Sequence, residues 1–167
     1  MLILGIDPGT AITGYGLIKV EGSKLTPLNY GALRTGARQE TAVRLSVIHS
    51  NLCNLIRAAT PDVVAVEQLF FNTNVTTALA VGQARGVILL AVAQAEIPLV
   101  EYTPLQVKQT VTGNGRATKQ QVGYMVKTLL KLETVPSPDD VSDALAIAIC
   151  HAHLGSTLDR FARYAQQ

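Results

Sequence analysis

"LILGIDPGTAITGYGLI" (Leu2–Ile18) runs an apolar strand into an Asp-Pro-Gly turn and out along a second strand. The aspartate at the end of the first strand, Asp7, has three readings. Asp, Pro and Gly are the residues that turns favour, so Asp7-Pro8-Gly9 can be a turn and nothing more. An Asp-x-Gly-Thr turn between two strands can also wrap nucleotide phosphates. Finally, such an aspartate can hold a divalent metal. The stretch itself leaves all three open.

Working outward, "TGYGLIKV" and "LNYGALRT" are two more short strands, with Glu21-Gly22-Ser23 as a hairpin turn, so an antiparallel meander is expected. Glu40 to Ala59 carries Val43, Leu45, Val47, Ile48, Leu52 and Ile56 at helical spacing, closed by Pro61. "DVVAVEQ" is a β-branched run of the kind buried on both faces of a sheet. A long apolar helix from Val75 to Ala95 and a fifth strand, "IPLVEYT", follow. Short helices at Pro104–Val111 and Lys119–Leu130 flank the loop "TGNGRAT", and a last helix runs from Pro138 to about Leu154. This order resembles a ribonuclease H-like α/β domain: a five-stranded mixed sheet, three antiparallel strands then parallel strands, with helices on both faces. The first and fourth strands become neighbours at the sheet centre. Chemistry in such sheets sits at the carboxyl ends of strands, where Asp7 ends the first and Glu67 the fourth.

The 167 residues are expected to form a single domain over 1–167, since 48% are hydrophobic and 16% charged. That length counts against the nucleotide-cleft ATPases, whose sites lie between two domains. We find no secretory lead and no run of ~18 apolar residues for a membrane span. Cys53 and Cys150 lack metal-ligand spacing and read as small buried hydrophobes in a cytoplasmic protein. The net charge of +2 is unevenly spread. From Gln68 to Leu132 there are six basic residues (Arg85, Lys108, Arg116, Lys119, Lys127, Lys131) against Glu96 and Glu101. Such a run can be a solvated face. Because it begins close to Glu67, it also suits a surface for a phosphate backbone.

Glu67 follows "VVAV" on the most buried strand, where an ionised carboxylate costs several kcal/mol unless paired or bound to metal. Nothing basic lies between Asp62 and Phe71, so an ion pair would need a distant partner. In "SPDDVSDALAIAICHAH", Ser137 suits an N-cap, Pro138 a first helical position and Asp140 a capping box. Asp143 lies one turn further, on a helix apolar nearly all round, and shares a face with Asp140. Four converging carboxylates offer only oxygen, which suits Mg²⁺, with Mn²⁺ as a substitute. Two such ions per site would serve phosphodiester hydrolysis. The ATPase reading explains Asp7 alone and leaves the other acids unused.

"GIDPGTAITGYGLI", "VAVEQLFF", "ALAVGQARGVILLA", "EYTPLQVKQTVTGNGRATKQQV" and "DDVSDALAIAICHAH" together resemble the bacterial RuvC-type Holliday-junction resolvases, in order and over essentially the whole chain. The resemblance implies a homodimeric, metal-dependent endonuclease that nicks two symmetric strands of four-way junction DNA, in recombination and repair, alongside the RuvA–RuvB branch-migration complex. It implies Asp7, Glu67, Asp140 and Asp143 as metal ligands; some relatives carry histidine at the position of Asp140. It implies Lys108 and Lys119 near the scissile phosphate, where surface solvation is the plainer alternative. It also implies an aromatic at the crossover. Of Phe70 and Phe71, one is expected to stack on an unpaired base and the other to cap the core. Arg116, in the basic loop, is expected to meet DNA. The small residues Ala78, Gly82 and Gly86 imply close packing, within the chain or across a dimer. Two other functions compete: a junction-binding structural protein without catalysis, and a ribonuclease H-like RNA-processing nuclease. The full acid set argues against the first, and the aromatic doublet with the basic loop against the second.

Overall fold

The structure, a computed structural model, describes the backbone of residues 1–68 and 75–164 and the side chains of 1–68 and 78–155. Its strands are β1 (Leu2–Asp7), β2 (Ile12–Glu21), β3 (Lys24–Arg34), β4 (Val63–Glu67) and β5 (Leu99–Tyr102). Its helices are α1 (Thr41–Ala59), α2 (Val75–Gln94), α3 (Pro104–Thr112), α4 (Lys119–Leu129) and α5 (Asp139–Tyr164). The sheet order is β3-β2-β1-β4-β5. β1 pairs antiparallel with β2 and parallel with β4, and β4 pairs parallel with β5. The expected mixed sheet, with β1 and β4 central, is therefore the one that forms.

Strand periodicity sorts the core into two layers. Ile3, Ile18, Val63, Ala65 and Tyr102 face α3, α4 and α5. Leu4, Ile6, Leu17, Val64 and Val66 face Ile48 and Leu52 of α1 and Ile88 and Val92 of α2. The hairpin closes through Gly22 at φ 60, with Glu21 paired to Lys24.

Three of the boundaries that differ from the sequence expectation bear on the packing. β3 begins at Lys24 rather than Leu28, because an edge strand tolerates Pro27 and a register shift at Leu17/Ile18 absorbs the irregularity. α5 begins at Asp139, with Pro138 ahead of it in a tighter turn whose carbonyl accepts from Val141 N at 2.9 Å. It also runs on to Tyr164 instead of ending near Leu154. Gly155 sits inside the helix with the His151 ring where its Cβ would be, 2.8 Å away at the nearest atom.

Candidate metal and active centre

The strand that carries Asp7 presents Ile3 and Gly5 to α5, so the alternation turns Asp7 to that same face. On β4, Val63 and Ala65 face α5, which puts Glu67 there too. The register pairs Ile6 with Val66, so the two acids come next, side by side on adjacent strands. Strand pairing therefore fixes this half of the site.

The other half depends on glycine. A Cβ on Gly5 would lie 2.1 Å from the Ala144 carbonyl oxygen, and one on Gly14 would lie 1.9 Å from that of Asp140. On Gly16 it would meet the Leu145 side chain at 2.6 Å. α5 thus lies with its backbone directly on β1 and β2, which only strand residues without side chains permit. Because Gly14 pairs with Asp7, this contact brings the start of α5 beside the strand end. Gly9 does belong to the turn: its Cβ would clash with Ile12 O at 2.1 Å, and Thr13 Oγ1 donates to Gly9 O at 2.7 Å. The turn reading is right for Gly9 and leaves the Asp7 carboxylate free for other work.

Both lysines ride on well-started helices. Thr103 and Gln106 form a capping box at α3, which carries Lys108 in its second turn. Thr118 and Gln121 do the same at α4, whose first residue is Lys119. The loop between them is fastened by Gln109, which donates to Gly113 O and accepts from Gly115 N, both at 2.9 Å. Lys119 Nζ reaches Asp143 Oδ2 at 3.1 Å.

A cleft of about 280 Å³ is lined by Asp7, Glu67, Asp143, Lys108 and Lys119, with Pro104, Val107 and Val122 as apolar wall. Among the described residues, the larger hollows beside Cys53 and beside Tyr124 have no acidic lining. Burial raises the Asp7 carboxyl to about 8, helped by Glu67, Asp143 and Asp140 and opposed by Lys119. Burial also raises Glu67, with Asp143 adding to it and Lys119 and Lys108 opposing. Asp143 is raised by burial against its bond from Lys119. Among the described residues, no three acid, His or Cys side chains are gathered closely enough to hold a metal as they stand. Like charges in a buried cleft spread apart, and an ammonium already sits on Asp143. The donor chemistry nonetheless fits a hard divalent cation: oxygen-only, buried, and costly to ionise without one.

Asp140 does not line the cleft; its charge reaches Asp7 and Asp143, and its carbonyl carries the Gly14 contact. Arg116 is exposed in the loop before α4 and also stays off the cleft wall. Phe70 and Phe71 lie outside the described residues. Arg85 departs from its expected place in the basic surface, because it is ion-paired with Glu101 and half-buried. Two features escaped sequence reading. Asp139 acts on both Asp143 and Lys119, and the glycine track seats α5. Glycines inside strands were the available signal for the second.

Residues 3–151 match the family model described as crossover junction endodeoxyribonuclease RuvC. The chain belongs to that family. A RuvC of Heliobacterium modesticaldum is 63% identical over 153 residues, covering 92% of this chain and 94% of its own. The structure of Thermus thermophilus RuvC in complex with Holliday junction substrate superposes with TM-score 0.86 at 34% identity, covering 94% of this chain and 96% of that one. The yeast mitochondrial Holliday junction resolvase shares the fold, with TM-score 0.71 at 17% identity over 99% of this chain and 83% of its own. RuvC-family proteins are DNA-cleaving hydrolases, and the cleft lies at the carboxyl ends of β1 and β4.

Proposed function

We propose that this chain, one domain over 1–167, is a metal-dependent endonuclease that resolves four-way DNA junctions by paired nicks near the crossover. The observation that carries this reading is the convergence of Asp7, Glu67 and Asp143 with Lys108 and Lys119 in one cleft of a RuvC-family fold. Asp7, Glu67 and Asp143, with Asp140 beside them, would hold two Mg²⁺ ions, or Mn²⁺ in their place. Such ions supply an activated water and shield the leaving oxygen of the phosphodiester. The protein's own part is to place the phosphate. Lys108 and Lys119 offer ammonium donors at the cleft rim, and Val107 and Val122 exclude water so that each charge acts strongly. Phe70, three residues past Glu67, would stack on a base freed at the crossover, and Phe71 would pack inward. Arg116 would meet a phosphate outside the cleft.

We assign a homodimer to α2. Leu79, Gly82, Gly86 and Leu90 form one stripe of that helix, and among the described residues nothing comes within 4 Å of the Cβ positions of either glycine. Leu79 and Leu90 are exposed. An apolar stripe with two gaps for a facing helix suits a substrate that needs two cuts. Among the described residues no helix is long and apolar enough to cross a membrane. We place the chain in the cytoplasm, working with the RuvA–RuvB complex, on the strength of the family. A silent binding role is disfavoured, since buried acids beside DNA add nothing to affinity.

The test is Mg²⁺-dependent cleavage of a mobile four-way junction, compared with linear duplex and RNA–DNA hybrid. Selective nicking of the junction is expected. Equal cleavage of all three would remove the junction reading.

A further inference from the structure

We propose that Lys119 is a reversible stopper of the metal site, drawn off by a DNA phosphate, so that metal and junction load the cleft together. The inference rests on the reading of Asp143 as a metal ligand. Lys119 Nζ holds Asp143 Oδ2 at 3.1 Å, but the contact is lopsided: the lysine side chain is 65% exposed and the aspartate 25%. The ammonium reaches in from the rim to an acid that is sunk. An ammonium and a divalent cation compete for the same oxygen lone pairs. A metal can use Oδ2 fully only when Nζ leaves it.

The rim position gives Nζ somewhere to go. Among the described residues Lys119 has no salt bridge other than that with Asp143. Its backbone is fixed at the first position of α4 by the Thr118 capping box, so the side chain can swing while the helix stays. A phosphodiester entering the cleft brings anionic oxygens to the same rim, and a freely rotating ammonium can exchange Asp143 for one of them. Lys108 behaves differently. It lines the cleft and its charge is felt at Glu67, yet among the described residues it makes no ion pair. Lys108 therefore attracts the phosphate from the outset, whereas Lys119 trades partners.

Two consequences follow for the free protein. The stopper partly neutralises a cleft in which Asp7, Glu67 and Asp143 repel one another. It also weakens metal binding until DNA is seated, which keeps the hydrolytic centre incomplete away from substrate. Coupling of this kind is reciprocal, so metal must tighten junction binding by the factor that junction tightens metal binding.

The test is Mn²⁺ binding followed by electron paramagnetic resonance in the full chain, without DNA and with a junction in which methylene replaces the scissile bridging oxygen. Without DNA, Lys119→Met should bind Mn²⁺ about twofold to fivefold more tightly than wild type, the range set by a partly exposed ion pair. Lys108→Met, which removes a charge from the same cleft but no ion pair, should gain less. The uncleavable junction should raise Mn²⁺ affinity more in the wild type than in Lys119→Met. If Lys119→Met gains no more than Lys108→Met, or the junction helps both proteins equally, while Asp143→Asn loses Mn²⁺, the stopper is wrong and the metal site stands. If Asp143→Asn binds Mn²⁺ like wild type, the metal reading fails and the stopper falls with it.

Discussion

The two faces of the sheet are packed by different means. Against α1 and α2, large side chains interlock: Leu4, Ile6 and Val66 on the strands, Ile48, Leu52 and Ile88 on the helices. Against α5, Gly5, Gly14 and Gly16 strip the strands bare, and the helix backbone settles onto them. The first face is a core, held apart by side-chain bulk. The second is a core at one end and a charged cleft at the other, because close approach carries the first turns of α5 to the ends of β1 and β4. The cleft is thus built from absent side chains as much as from present ones.

The largest effect should come from the acids gathered on the α5 face. Glu67→Gln and Asp143→Asn should each take Mg²⁺-dependent junction cleavage below detection while gel-shift affinity for the junction is kept. Asp140→Asn should lose cleavage less completely, since Asp140 stands off the cleft.

Next, the two faces can be broken separately. Gly14→Ala sets a Cβ against a backbone oxygen 1.9 Å away, so the start of α5 must move. A misplacement of roughly 1 Å costs on the order of 10²-fold in rate, and that loss is expected per folded molecule, along with lower stability. On the other face, Leu52→Ala should cost about 2–5 kcal/mol in denaturant unfolding and leave the rate per folded molecule unchanged. Equal rates for the two variants would show that close approach does not position the site.

A smaller effect is expected at Phe70, on the segment that follows Glu67. Phe70→Ala should keep junction binding and slow turnover about 10-fold, the loss that ~1.4 kcal/mol of positioning implies. A junction with an unpaired base at the crossover should recover part of that rate. Wild-type turnover would assign the ring to packing. Smaller again, Lys131→Ala should leave the rate at saturating DNA alone and lower the salt slope of binding by about one unit. A changed rate at saturation would draw this distal lysine into the site.

Asp7 and Glu67 were legible because a strand's period and its end are local facts. The parallel pairing that sets them side by side follows from element order. Gly5, Gly14 and Gly16 stand in the opening stretch, but their meaning depends on a helix more than 120 residues later. Nothing in a local window names that partner. Arg85 fails for the same reason. Composition counts it among the free basic residues, whereas β5 turns Glu101 toward α2 and the two neutralise each other. Pro27 and Gly155 are the opposite case. Each breaks regular structure in isolation, and each is tolerated where tertiary packing has removed the cost: Pro27 on an edge strand, Gly155 against the His151 ring.

The central claim is that the acids of the α5 face are arranged for a cation and are in conflict without one. The Asp7 carboxyl is raised from 3.8 to about 8 by burial and then by its acidic neighbours. A carboxyl raised on folding favours the folded state fully below its unfolded value, and that contribution is lost as pH climbs toward the folded one. Between pH 4 and 8 the metal-free protein should therefore lose stability, with Glu67 and Asp143 acting in the same direction. The most direct measurement is the melting temperature of wild type and Asp7→Asn at pH 8, in EDTA and in Mg²⁺. We expect Asp7→Asn to melt higher than wild type in EDTA, to gain much less from Mg²⁺, and to cleave no junction. An Asp7→Asn protein that melts lower in EDTA, and that Mg²⁺ stabilises as much as wild type, would contradict the account.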